Sequence, residues 1–572
     1  MATKKAKSIR FPGLPDTYTF ATKSSDLELD NVYSKDNVDS RDDALYASIL
    51  AGGGDYKATM RSFFLANGAN ALTDLSVLCD RWYALSRTGW SGGVRFPVPA
   101  AGAAASSDGT KTGDNAGLTC TPSTLTTANR DDYAALPLFA VVDCNTYLDD
   151  TGRPHISAID LDDCGPAFAR TDPAKIVGVL QMAGWVKFVS ESDTYGFDYT
   201  DQAEAAGFHP LSEAVELEDN SVRSWVVHGK YGFGEGWTCC SGVKTKVWNV
   251  SHNSQLTGVR GVWGNRYCGA TSADDAWLKL MLYLKYGQLD SDRVLHGCNN
   301  YNYEYQPALG ETGVERILLT PAQANNLIVG STIVLAASKR AQSNVVDRAR
   351  ITAIETVEID GTSYGAVYVD NGGQTFDTTT ELWLSTMQWY TGSTDEVLGN
   401  DGGIDPTSDK YPVKLQGIEY MVGCYEAMGD TILSFAEIGG EKVQVANVCR
   451  DASKLATSVT ADYITAGYGV PRPATAGWTW AKRMGFDSNL PEVLIPSVNG
   501  ASSSTGTRDG FYEEADTATD LREWLRFGPL NSGVGYAGLS CGFGYYGLGF
   551  AVWFFGGRLS VTGNRGEFQA AA

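Results

Sequence analysis

No stretch of this chain approaches twenty uninterrupted apolar residues, which excludes a membrane-spanning helix. Its 11 cysteines form no C-x-x-C pair, and only Cys239 and Cys240 are adjacent. Sequence neighbours rarely bond to each other and zinc spacing is missing, so these residues read as buried reduced thiols. Histidine is scarce. The 5 residues (His155, His209, His228, His252, His296) leave residues 297–572 with none. That stretch therefore holds neither a Ser-His-Asp triad of its own nor a His-rich metal site, and with no H-x-x-x-H pattern the histidines read as structural. Positive charge is short as well: 45 Lys and Arg against 67 Asp and Glu give a net charge of −22. Such a chain repels a phosphate backbone, which argues against nucleic acid as a partner. The Lys/Arg cluster in the first ten residues is the exception and reads as a tail or docking arm.

Other absences narrow the chemistry. The opening MATKKAKSIRFPGLPDTYTF carries basic residues with no apolar core behind them, so it is not a secretory signal. The expectation is synthesis in a cytoplasm, with any exit by lysis inside a particle. GFGEG near Gly232 lacks the lysine and serine of a phosphate-binding loop. Carboxylates are so common that pairs such as Glu513/Glu514 and Asp162/Asp163 arise by chance and read as solvated surface charge. NDGGIDPTSD reads as an ordinary Asp/Gly turn before it reads as a calcium loop. No catalytic residue, metal ligand or cofactor is expected, and the protein is read as a non-enzyme.

At 572 residues, with 64 glycines, the chain reads as a β-rich α+β protein of about three or four domains. Residues 1–97 are expected to form an N-terminal anchoring or oligomerisation module. Its stretch from Ser40 to Trp90 carries Leu72, Leu75, Leu78 and Trp82 at helical spacing, with Asn70 or Thr73 as the cap. Residues 98–130, rich in Ala, Gly and Ser, read as a linker or long loop. Residues 131–309 alternate β-prone runs with turns, and Asp274 to Tyr286 reads as a helix with acidic residues at its N-terminal end. Residues 310–390 read as an inserted β-barrel or sandwich, with a hairpin turn at Asp360-Gly361. Residues 391–572 complete the C-terminal domain.

The last fifty residues are the most informative. Large side chains alternate with glycines (Gly535, Gly538, Gly542, Gly544, Gly547, Gly549). A segment built to fill a core uses Val, Ile and Leu. Rings on a glycine track read as a contact surface. The run AGLSCGFGYYGLGFAVWFFGGRLS, Ala537 to Ser560, resembles the variable repeat of diversity-generating retroelement target proteins. Ala537, Gly538, Leu539 and Cys541 match the start of that repeat, and Gly556 to Ser560 match its end. Gly417, Ile418 and Glu419 match a phrase of the C-type-lectin-like (formylglycine-generating-type) domain of phage tail tip proteins. KYGQLDSDRVLHGCNNYNYEY resembles another. The resemblance covers about residues 205–305 and 400–572.

The resemblance implies a C-type-lectin-like fold with the β module inserted, and a phage tail fibre or tail tip protein that binds a host receptor. It implies contact positions at Tyr536, Ser540, Phe543, Tyr545, Tyr546, Leu548, Phe550, Val552 and Phe554. The implied partners are a bacterial surface protein or glycan and other virion proteins, with a homotrimeric assembly located in the virion. The sugar-binding triplets of calcium-dependent lectins are absent, and Cys541 lacks the partner cysteine of formylglycine-generating enzymes. Two further readings stay open: a structural virion component such as a head fibre or decoration protein, and a glycan hydrolase, which needs paired acids in a cleft.

Overall fold

The computed structural model describes residues 8–9, 18–19, 55–99, 104–487 and 489–567. The chain separates into two units, Met1–Gly54 and Asp55–Ala572. In the first, Ser8–Ile9 pairs antiparallel with Tyr18–Thr19. The part of the helical expectation that falls on residues 40–54 lies outside the described residues.

The second unit is β-rich with few helices. Its N-terminal part corrects the expected boundaries. Helices α1 (Tyr56–Ala66) and α2 (Ser76–Leu85) replace one periodic stretch, because Gly68 takes a left-handed φ of 76° and a short 3₁₀ turn follows. Asp74, rather than Asn70 or Thr73, accepts the Ser76 amide at the start of α2. The expected boundary at residue 97 falls inside a hairpin. Strand Ser91–Pro97 pairs with Thr110–Gly113 on one side and Thr194–Thr200 on the other. The Asn115 side chain, fully buried, donates to the Gly93 and Leu284 carbonyls. Much of the expected 98–130 linker is thus stitched into the body by hydrogen bonds that low-complexity composition does not reveal.

Helices α3 (His252–Trp263) and α4 (Ser272–Tyr286) carry the central part of the unit. Thr271 and Asp274 form a reciprocal capping box at the start of α4, and Gly287 ends it in the left-handed region. Every residue from Ser272 to Lys285 is buried. A helix covered on all sides must neutralise its charges internally. Lys279 reaches Asp275 at 2.6 Å, and Lys285 reaches Asp401 at 2.7 Å.

Around it run a five-stranded sheet, a four-stranded sheet and a nine-stranded sheet. The nine-stranded sheet carries the C-terminal segment. Strand Gly542–Gly544 lies between Arg522–Phe527 (antiparallel) and Gly510–Glu513 (parallel). Strand Leu559–Ser560 then pairs with Cys268–Gly269 immediately before α4. Residues 205–305 and 400–572 therefore share a ladder at the root of the buried helix.

Residues 304–387 form a separate six-stranded antiparallel sheet. Its own core contains Ile317, Ile333, Leu335, Ile351, Val367 and Leu384. The chain enters by Glu304–Tyr305 and leaves by Trp383–Met387, two strands that pair with each other. The sheet is seated on the rest of the unit: Val334 and Met387 pack with Val247, Val422 and Cys424. Arg348 donates to Glu235 and to the Thr245 carbonyl. Its long hairpin, Val346–Ile359 with Thr362–Asp370, turns at Asp360 (φ 50°) and Gly361 (φ 75°). A Cβ at Gly361 meets nothing within 4 Å, so replacing it costs only backbone conformation. Gly361→Val is expected to lose about 1–2 kcal/mol in denaturant unfolding. Unchanged stability would show that the turn is not held in the left-handed region.

Candidate binding surface

The bracketing motif is buried. Ala537, Leu539, Cys541, Arg558, Leu559 and Ser560 are all buried. Three backbone amides of the segment's root are held from outside it. Gly535 donates to Asp292, Leu539 to the Ser291 hydroxyl at 2.9 Å, and Ser540 to Asp509 at 2.8 Å. Gly538 has φ 143°, and a Cβ there would lie 2.2 Å from the Asp509 carboxylate, so only glycine fits. At the other end, Glu426 sits between two guanidinium groups, Arg526 at 2.9 Å and Arg558 at 3.0 Å, all three buried. Burial works to raise the Glu426 carboxyl, and the charges of Arg558 and Arg526 overcome it, leaving it below its ordinary value. Arg558 also donates to the Gly229 and Glu419 carbonyls, which joins the motif to both halves of the unit.

Between these anchors the rings form a continuous track. Phe543 is its floor, stacked on Tyr512 at 4.6 Å and on Tyr546 at 5.1 Å. Tyr546 stacks in turn on Phe550 at 4.2 Å with the planes 2° apart. Tyr545 stands edge-on to Tyr512 and Tyr546. On the other side, Tyr536 meets Trp478 at 5.2 Å and Trp480 at 5.7 Å. The far end runs through Phe554 to Trp553, over which the Arg340 guanidinium of the six-stranded sheet lies at 4.3 Å. Tyr536, Tyr545 and Phe550 are 36%, 37% and 42% exposed, high values for large rings. Tyr546, Val552 and Phe554 are half-buried. An open groove beside Phe550 is lined by Asn253, Thr457, Asp520 and Leu521.

Three expected contact positions are corrected. Ser540 is buried, with its hydroxyl 2.7 Å from the Tyr283 hydroxyl of α4. Leu548 is buried in a cluster with Cys268, Ile432 and Cys449. Phe543 is 9% exposed, because Tyr512 and Tyr546 cover its faces. These three residues support the surface from below.

The sequence reading missed Trp478, Trp480 and Tyr512, all half-buried on the same track. A signal was present. Trp478 and Trp480 sit at period two in the strand Gly477–Met484, which pairs with the strand of Tyr512 and so puts the rings on one face. Glu513, read as solvated charge, is fully buried. It accepts from Thr479 at 2.7 Å and Asn499 at 3.0 Å, and its second oxygen has no partner. Its companion Glu514 pairs with Arg522 at 3.0 Å. Among the described residues all 11 cysteines are free, and only Cys120 is not buried. His228 lies 2.9 Å from Asp274, and His252 contacts the Met428 and Ala456 carbonyls.

Burial raises the Glu513 carboxyl to about 8, against the hydrogen bonds from Thr479 and Asn499, which lower it. A raised carboxyl binds its proton more tightly in the folded state. Its contribution is complete below the unfolded value of 4.5 and is lost as pH rises through the folded value. Every tenfold tightening of the hold on that proton is worth about 1.4 kcal/mol. Wild-type Tm is expected to fall between about pH 5 and 8 more steeply than that of Glu513→Gln, which keeps the acceptor and cannot ionise. Equal slopes in a thermal series across that range would remove Glu513 as the cause.

No protein-family model matches this chain, and no curated protein matches it.

Proposed function

We propose that this chain is a phage or prophage receptor-binding protein, built on a C-type-lectin-like scaffold, that attaches a virion to a bacterial surface molecule. The observation that supports this is a partition. The residues of the bracketing motif are buried and bonded to both halves of the unit, while Tyr536, Tyr545 and Phe550 stand exposed among stacked rings. A segment that only packs against its own domain has no need of that division. Tyr and Phe give large contact area at low entropic cost, and repetition on a particle converts modest affinity into firm attachment. In this reading the protein is a homotrimer, and the N-terminal module, residues 1–97, anchors it to other virion proteins. The mechanism is adhesion, with no chemical step.

The test is saturable binding of the purified, fluorescently labelled chain to intact bacteria from a panel of host strains. Binding that is lost when Tyr545 and Phe550 are replaced supports the reading. A chain that binds no strain in the panel, or a variant that binds as well as wild type, sinks it.

A further inference from the structure

Beneath the root of the aromatic segment three carboxylates meet. Asp290, Asp292 and Asp509 are 0%, 4% and 2% exposed, and one oxygen from each lies within 4.8 Å of the others. Gathering three such groups out of water is costly unless positive charge or protons compensate them. A second cluster in the same unit shows the usual compensation. There Asp401, Asp131 and Cys120 surround Lys285, whose ammonium lies 2.7 Å from Asp401 and 3.2 Å from Asp131. Among the described residues the Asp290 cluster has no such central ammonium. Its ion pairs, from Arg508 at 2.8 Å and Arg293 at 3.4 Å, reach Asp290 alone. Asp292 receives only long hydrogen bonds, from Gly535 at 3.3 Å and Asn299 at 3.4 Å.

Two further atoms point to a ligand. Asp509 holds Ser540 and Ser291 through Oδ2, and its buried Oδ1 has no partner. Asn299, fully buried, leaves its own Oδ1 unpartnered while its amide nitrogen makes two long contacts, to Asp292 at 3.4 Å and to the His296 carbonyl at 3.3 Å. An amide flip gives up those two long bonds and presents the oxygen to the cluster, where a bound cation would hold it.

We propose that Asp290, Asp292, Asp509 and the Asn299 amide oxygen hold a divalent cation. Every donor is a hard oxygen, which favours calcium or magnesium over the softer transition metals. The irregular set of donors favours calcium, which accepts six to eight oxygens, water included, in flexible geometry, whereas magnesium demands a strict octahedron and retains several waters. Asp292 and Asp509 also accept the Gly535 and Ser540 amides, so the ion would fix the root of the aromatic segment to the loop after α4. This site stands or falls independently of the receptor reading.

The experiment is calorimetric titration of the chelator-treated full chain with calcium chloride, with magnesium chloride as a parallel arm. Thermal melts and the metal content of natively purified protein complete it. The expected result is one calcium per chain and a Tm that rises with calcium concentration. Asp509→Asn and Asp292→Asn, which keep size and one acceptor oxygen, are each expected to weaken binding by about tenfold or more. Should either variant fail to fold, terbium luminescence of the wild type, sensitised by nearby aromatics and quenched by added calcium, decides the matter alone. A wild type that gives neither binding heat nor a calcium-dependent melt overturns the proposal. So does unchanged affinity in a folded variant. Equal affinity for magnesium overturns the assignment to calcium.

Discussion

Replacing Tyr545 and Phe550 together with serine is expected to weaken cell binding about a thousandfold while leaving the protein folded. The two rings are the most exposed of the stacked track. Residues at a binding centre typically contribute about 2 kcal/mol or more each, and every 1.4 kcal/mol is about tenfold in affinity. The cost to the fold is smaller, about 2 kcal/mol at most, because each ring is already partly in water and leaves no sealed cavity. Tyr546 is a poorer choice for this experiment. It is half-buried and stacks on both Phe543 and Phe550, so its removal disturbs the floor as well as the surface. Leu559→Ser supplies the contrast. It opens a cavity and buries a hydroxyl at a residue with no exposure, for a loss of about 3–5 kcal/mol. Binding isotherms and melting curves on both proteins should separate them, one folded and non-binding, the other unstable. The reverse pattern would mean that support and surface have been assigned the wrong way round.

A loss of stability as large as that of Leu559→Ser is expected at Glu426. Its carboxylate is the shared partner of Arg526 and Arg558, and all three groups are buried. Glu426→Ala leaves two guanidinium groups facing each other in a dry interior. Breaking a buried ion pair from one side typically costs about 3–5 kcal/mol, because an uncompensated charge remains. Arg526 retains a second carboxylate, Asp275, at 3.6 Å, so the greater strain falls on Arg558 and the end of the bracketing motif. Denaturant unfolding measures the loss. Adding Arg558→Met to the Ala variant should recover part of it, since removing the orphaned charge is cheaper than keeping it. A loss below about 1 kcal/mol for Glu426→Ala would show that water reaches the network.

Several elements were legible before any coordinates. The Asp360-Gly361 turn follows from two residues that tolerate positive φ between alternating strands. The α4 helix follows from its acidic start and broad apolar face, and differs from the expected span only by Ser272 and Ala273, which follow the Thr271 cap. Local backbone preference is carried by neighbours in sequence, so local pattern reveals it. The glycine track and its bracketing residues likewise marked the C-terminal segment as the place to look.

What the sequence could not decide is which members of that segment meet water. Phe543 and Phe550 are the same residue type on the same glycine-rich run, yet one is a covered floor and the other is exposed. Tyr546 stacks on both; the difference lies in Tyr512, which stacks on Phe543 as well and arrives from a separate strand. Ser540 is buried by Tyr283 and Asp509, and Glu513 by Thr479 and Asn499. Even the end of the N-terminal module was hidden, because Ser91–Pro97 takes its ladder partner from Thr194–Thr200. By itself the sequence determined the periodicity of the elements, the sharp turns and the run of rings, all set by chain neighbours. Tertiary structure alone decided burial, ion pairing and the meeting of Asp290, Asp292 and Asp509, because each depends on groups far apart in the chain that only folding brings into contact.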